Sequence, residues 1–176
     1  LLECISLAEG HGIGPLRSAA MVGLARVHLG MGRVRRARSV LSGDLGGVLE
    51  HCHVRDQGEA LLTLAKCHLA SHSAGDDGGG EEGGPPSLAS ALRELDRSLA
   101  AFEEADDVRR AAEVHYLRAR AFHLLPGREA ERDDVAAEFV RLSKEARSRS
   151  VAREGCAVVS NWDELRTCVS ARTARG

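Results

Sequence analysis

Apolar positions along the chain recur at helical spacing. Leu1–Glu9 is apolar at positions 1, 2, 5, 7 and 8, and "GHGIGP" follows as a breaker. Leu16–Gly30 carries Ala19, Ala20, Met21, Val22, Leu24, Ala25, Val27 and Leu29. It is apolar on nearly every side, as expected of a helix held between neighbours. "GMGR" ends it, and "VRRARSVL" opens a partner running to about His51, with Gly43, Gly46 and Gly47 expected to loosen its middle. Asp56–Ser71 is the next helix. Ser73–Ser87, "SAGDDGGGEEGGPPS", is made of Gly, Pro and acids and reads as a disordered insert. Leu88–Ala105 then spaces Leu88, Leu92, Leu95, Leu99 and Phe102 three or four apart. Asp107–Leu125, a "PG" break and Arg128–Arg149 complete the series. No segment sustains the alternation of a strand, so the pattern predicts an all-α chain.

Two of these helices share a hexapeptide. Leu24–Leu29 is "LARVHL", and forty positions on Leu64–Leu69 is "LAKCHL". Self-similarity at a fixed period in helix pairs is the mark of a solenoid. Leu24, Ala25, His28, Gly32, Ala37 and Leu41 follow the tetratricopeptide pattern in order. Leu64, Ala65 and His68 repeat it, and Ala91 and Leu95 resume it beyond the insert. Ala119 and Phe122 make a third copy, with Arg118 in place of the Leu. The small residue lets antiparallel helices approach closely, and the larger ones fill the space between pairs. The hexapeptide is therefore a packing interlock. The expected fold is a tetratricopeptide-like α-α superhelix, a solenoid of antiparallel helix pairs; a bundle of helical hairpins is the other arrangement the pattern allows. The repeat domain is expected over 1–147 with the insert at 73–87, and 148–176 as a loosely structured tail. Within that tail Asn161 and Glu164 of "NWDEL" have the spacing of a capping box, so one short helix is expected there.

Composition narrows the function. Aromatic residues are only 3%, so Ala and Leu must fill the core, which suits close-packed helices. A net charge of -2 gives no global attraction to nucleic acid or to an anionic membrane. Five cysteines (Cys4, Cys52, Cys67, Cys156 and Cys168) lie far apart without a CxxC pair, which favours free thiols in a reducing, intracellular setting. No apolar run is long enough for a transmembrane helix. The opening "LLECISLAEG" reads as the inside of a helix, so a longer parent protein is expected.

Candidate chemistry is sparse. "HCH" at His51–His53, with His11 and Cys67, has zinc-ligand residue types but lacks a second paired motif, and reads as solvated turn histidines. His28 and His68 stand where the repeat expects a ring, able to fill volume and bond a carbonyl. Cys156 and Cys168 lie in no recognisable nucleophile frame. "GRVRRAR" at Gly32–Arg38 is best read as a solvated helix face rather than a localisation or nucleic-acid signal. "GIG" and "GGG" lack the frame of a phosphate loop. No catalytic, cofactor-binding or metal-binding residue is assigned, and no small-molecule substrate. The residue after the small one on each first helix tends to face the concave groove. These residues are Arg26, Lys66 and Arg120, a basic residue in each copy, and they are expected to form a groove for an acidic segment of a partner protein.

"EVHYLRARAFHLLPGREAERDDVAAEFVRL", Glu113–Leu142, closely resembles the C-terminal end of the anaphase-promoting complex subunit 5 family. The resemblance rests on Ala119, Arg120, Phe122, His123, Glu131, Arg132, Phe139 and Leu142, and extends over about Leu1–Arg147. It implies a non-catalytic tetratricopeptide scaffold in the platform of a multisubunit ubiquitin ligase of the cell cycle. Its partners would be the other subunits of that complex, and its place the nucleus and cytoplasm. A tetratricopeptide adaptor or sensor domain of an unrelated transcription-regulator-like protein is the alternative from the residues alone.

Overall fold

A computed structural model of the chain describes residues 1–73 and 88–150. The insert from Ala74 to Ser87 and the tail, with Cys156, Cys168 and the capping box at Asn161 and Glu164, lie outside the described residues. Among the described residues seven helices follow one another: α1 (Leu2–Gly10), α2 (Gly14–Gly30), α3 (Val34–His51), α4 (Val54–Ser73), α5 (Leu88–Glu104), α6 (Val108–His123) and α7 (129–150). There is no strand among the described residues.

Three of the turns share one backbone design. The N–H groups of Ile13, Arg33 and Asp107 donate to the carbonyls of Ala8, His28 and Phe102, five residues back. Those of Gly12, Gly32 and Asp106 donate to Glu9, Leu29 and Glu103. This is the Schellman arrangement, which ties off the last carbonyls of a helix through one residue with positive φ. Gly12 and Gly32 hold φ values of 66° and 72°, and Asp106 does the same at 49° with a side chain. Turns this short reverse the chain, so α1 and α2, α2 and α3, and α5 and α6 run antiparallel.

The pairs stack. α2 packs on α3, α4 on α5 and α5 on α6, while α2 also meets α4 and α4 meets α6. Contact between helices two apart in the chain makes an all-α helical-repeat stack, each pair resting on the next. Seen from the helix starts, the third copy falls into register: Ala119 lies fifty-four residues beyond Ala65, the period of forty plus the fourteen residues of 74–87. The same spacing matches Ala37, Leu41 and Val48 of α3 to Ala91, Leu95 and Phe102 of α5, and all six are buried.

The glycines of α3 do not loosen it: the helix runs unbroken through Gly43, Gly46 and Gly47. Gly43 and Gly46 face open space, and Gly47 stands where a Cβ would meet the Ser18 hydroxyl at 3.2 Å. Burial of Ala37, Leu41 and Val48 along its inner face outweighs a propensity cost of about 1 kcal/mol per glycine. On α4 a glycine is required. A Cβ on Gly58 would lie 2.9 Å from the Phe102 ring, and the Gly58 carbonyl accepts the Ser98 hydroxyl at 2.9 Å.

Candidate protein-binding surface

The residues preceding α2, α4 and α6 are Ile13, His53 and Asp107. Twelve residues beyond them stand Ala25, Ala65 and Ala119; thirteen beyond, Arg26, Lys66 and Arg120; fifteen beyond, His28, His68 and Phe122. Ala25 and Ala65 have no exposed surface at all. Ala119 is only half-buried, because its outer side meets no further helix among the described residues. Leu64 and Phe122 are buried, and Leu24 is half-buried.

The His28 and His68 rings fill space as expected, but Nδ1 of each is closed off without a hydrogen-bond partner. Burial, with the nearby Arg38 charge, holds the His68 imidazole below its ordinary range and therefore neutral at neutral pH. Burial likewise pushes the Cys67 thiol up to about 11, so it is no nucleophile.

"HCH" is a turn. His53 Nδ1 accepts the Arg55 backbone N–H at 3.2 Å and so caps α4, and Cys52 is buried with its thiol 3.7 Å from the Pro15 carbonyl. Among the described residues no three of His, Cys, Asp and Glu converge on a point where a metal could sit. No described helix is long and apolar enough to cross a membrane.

Arg26, Lys66 and Arg120 fall on one face of the stack, and two of them are already paired. Arg26 approaches Glu59 on α4 at 3.8 Å, and Lys66 on α4 meets Glu113 on α6 at 2.6 Å. Glu59 and Glu113 occupy matching positions, six residues past the helix start. The cation of one repeat thus meets the carboxylate of the next. Arg110 joins the two pairs, at 2.5 Å from Glu59 and 2.6 Å from Glu113. Burial alone would raise the Glu113 carboxyl. Hydrogen bonds from Lys66 and Arg110 outweigh it and hold that group below the usual carboxylate range. Arg120 lies over the Tyr116 ring at 6.0 Å and meets no carboxylate among the described residues. The residue types were visible in the sequence, but the ladder was not. The signal that could have found it is the shared offset of Glu59 and Glu113.

No protein-family model matches the chain. It is 29% identical over 151 residues, 86% of its length, to "Anaphase-promoting complex subunit 5" of Homo sapiens and equally to that of Pongo abelii. The Gallus gallus protein of the same name is 27% identical over the same length. The chain spans only 19% of the human relative. It is a distant likeness to one part of those proteins.

Proposed function

We propose that the chain is a tetratricopeptide-type scaffold segment of the anaphase-promoting complex, the ubiquitin ligase that drives mitotic progression. In this reading it works in the nucleus and cytoplasm by protein–protein contact with other platform subunits, and the ligase chemistry resides elsewhere in the complex. The observation that carries the reading is the likeness to subunit 5 proteins over 86% of the chain. The stack supports it: Arg26, Lys66, Glu59, Arg110 and Glu113 are spent on holding one repeat to the next, as suits a rigid support. Affinity purification of the full-length protein from its own cells, followed by mass spectrometry, tests it. Other anaphase-promoting complex subunits are expected in near-equal amounts. Their absence from a preparation that carries a different stable assembly would overturn it.

A further inference from the structure

Among the described residues the seam between repeats is made twice and left open once. Nine residues past the helix start stand Val22, Leu62 and Tyr116. Val22 and Leu62 are 5% and 0% exposed, because α4 lies against α2 and α6 against α4. Tyr116, the third of the set, is 47% exposed. The ladder breaks at the same place: Arg26 has Glu59 and Lys66 has Glu113, while Arg120 has no carboxylate among the described residues.

Beside Tyr116, α6 and α7 enclose a groove of about 540 Å³ with Ala112, Tyr116, Phe139 and Ala146 along it. The Tyr116 and Phe139 rings stand 5.6 Å apart. Arg109 and Arg147 line the groove as well, and neither is paired with a carboxylate among the described residues. Glu113 also lines the groove, but Lys66 and Arg110 already neutralise it. An apolar strip with Arg109 and Arg147 along it and Arg120 beside Tyr116 is complementary to an amphipathic helix with an acidic edge.

We propose that this groove receives an acidic amphipathic helix of another polypeptide, laid along α6 as α6 lies along α4. A carboxylate six residues past that helix's start would meet Arg120, and its apolar face would cover Tyr116 and Phe139. The chain's own residues 151–176 are the poorer complement, with Arg153, Arg166, Arg172 and Arg175 against Glu154, Asp163 and Glu164. The groove follows from the geometry alone; that the helix belongs to a neighbouring subunit rests on the scaffold reading above.

The probe is a fluorescein-labelled, hydrocarbon-stapled amphipathic peptide of about 20 residues, long enough to hold a helix once stapled. It carries Glu at the sixth position and Leu along the adjoining face, and its binding to the full chain is followed by anisotropy. Binding is expected to weaken about tenfold when the probe's Glu becomes Gln or when Arg120→Glu is introduced. A probe with Lys at that position should restore binding to Arg120→Glu, a surface change whose fold is checked by circular dichroism.

Absence of binding, equal binding of the Glu and Gln probes, or failure of the charge swap overturns the proposal. A concentration-dependent dimer that Arg120→Glu dissolves would give the groove to a second copy instead. Blue emission from Trp162, the chain's single tryptophan, that reddens in Phe139→Asp without probe would give it to the chain's own tail. Either result also overturns it. Loss of the groove with complex subunits still co-purifying leaves the scaffold reading standing, so the two failures are distinguishable.

Discussion

Two cores fill one repeated frame with different volumes. Between α2, α3 and α4 lie Val22, Ala25, Leu41, Val48, Cys52, Ala60 and Leu64, with no ring among them. Between α4, α5, α6 and α7 the cluster runs from Leu62 to Leu142 and is built around Phe102 and Leu95, both fully buried. Around the first core Leu2, Leu7, Ile13 and Met31 stay exposed. Val48 and Phe102 are the same position in successive repeats. The period sets where side chains meet, and the residue at each meeting point sets how much that repeat contributes to stability. The second unit should therefore hold the first in place, and amide exchange should be slower in α4 and α5 than in α2 and α3.

The largest effect should come from the matched pair itself. Phe102→Ala is expected to destabilise by ~3–5 kcal/mol in denaturant unfolding, and Val48→Ala by about 2 kcal/mol. Equal losses would erase the difference between the cores. A biphasic transition in Phe102→Ala, with the first pair melting separately, would sharpen it.

Next comes the close approach that lets the ring in. Gly58→Ala places a Cβ 2.9 Å from Phe102 and should cost ~1–3 kcal/mol by overpacking. Gly43→Ala on α3 meets nothing within 4 Å and should instead stabilise by about 0.5–1 kcal/mol through helix propensity. A neutral Gly58→Ala would mean that the second core is looser than its geometry indicates.

How much of this was legible follows from the same residues. Helix number, pairing and period could be read from apolar spacing, because Leu and Ala leave a clear 3–4 pattern even without aromatics. Helix starts were misplaced by about two residues at α2 and α4, since Ile13 and His53 precede those helices in place of the usual Ser, Thr, Asp or Asn. The α3 glycines were misread because tertiary packing, which a local pattern does not contain, outweighed their propensity. The cationic positions were visible, but their partners were not. Glu59 lies thirty-three residues from Arg26, and Glu113 forty-seven from Lys66, so only the stack brings them together.

Acid should act on the second unit more than on the first. His68 on α4 and His115 on α6 are held below the ordinary imidazole range, mainly by burial. Near and below pH 6.5 the unfolded chain binds protons that the folded one refuses, so lowering the pH favours unfolding. Melting temperature should fall as pH drops from about 7.5 to about 5.5, and His68→Asn should flatten that slope. The Glu113 ladder adds its own loss only lower, as pH falls below the usual carboxylate value of 4.5 toward that group's depressed one. A slope unchanged in His68→Asn and His115→Asn alike would remove the buried histidines from the account.

The smallest expected effect lies in the turns. Those before α2 and α3 place Gly12 and Gly32 at positive φ, whereas the turn before α6 asks Asp106 to hold 49°. A side chain there is strained by the contact of Cβ with its own backbone, and Asp tolerates this better than most residues without escaping it. Asp106→Gly should thus stabilise the chain by about 0.5–1 kcal/mol, less whatever is lost with the ion pair to Arg149 at 2.9 Å, which water screens. Gly32→Ala should destabilise by about 1 kcal/mol, since nothing crowds the site and the backbone alone resists. If both substitutions are silent in denaturant titration, the three turns are held by the helices they join rather than by their own conformations. The second unit would then owe its rigidity wholly to Phe102 and the leucines around it.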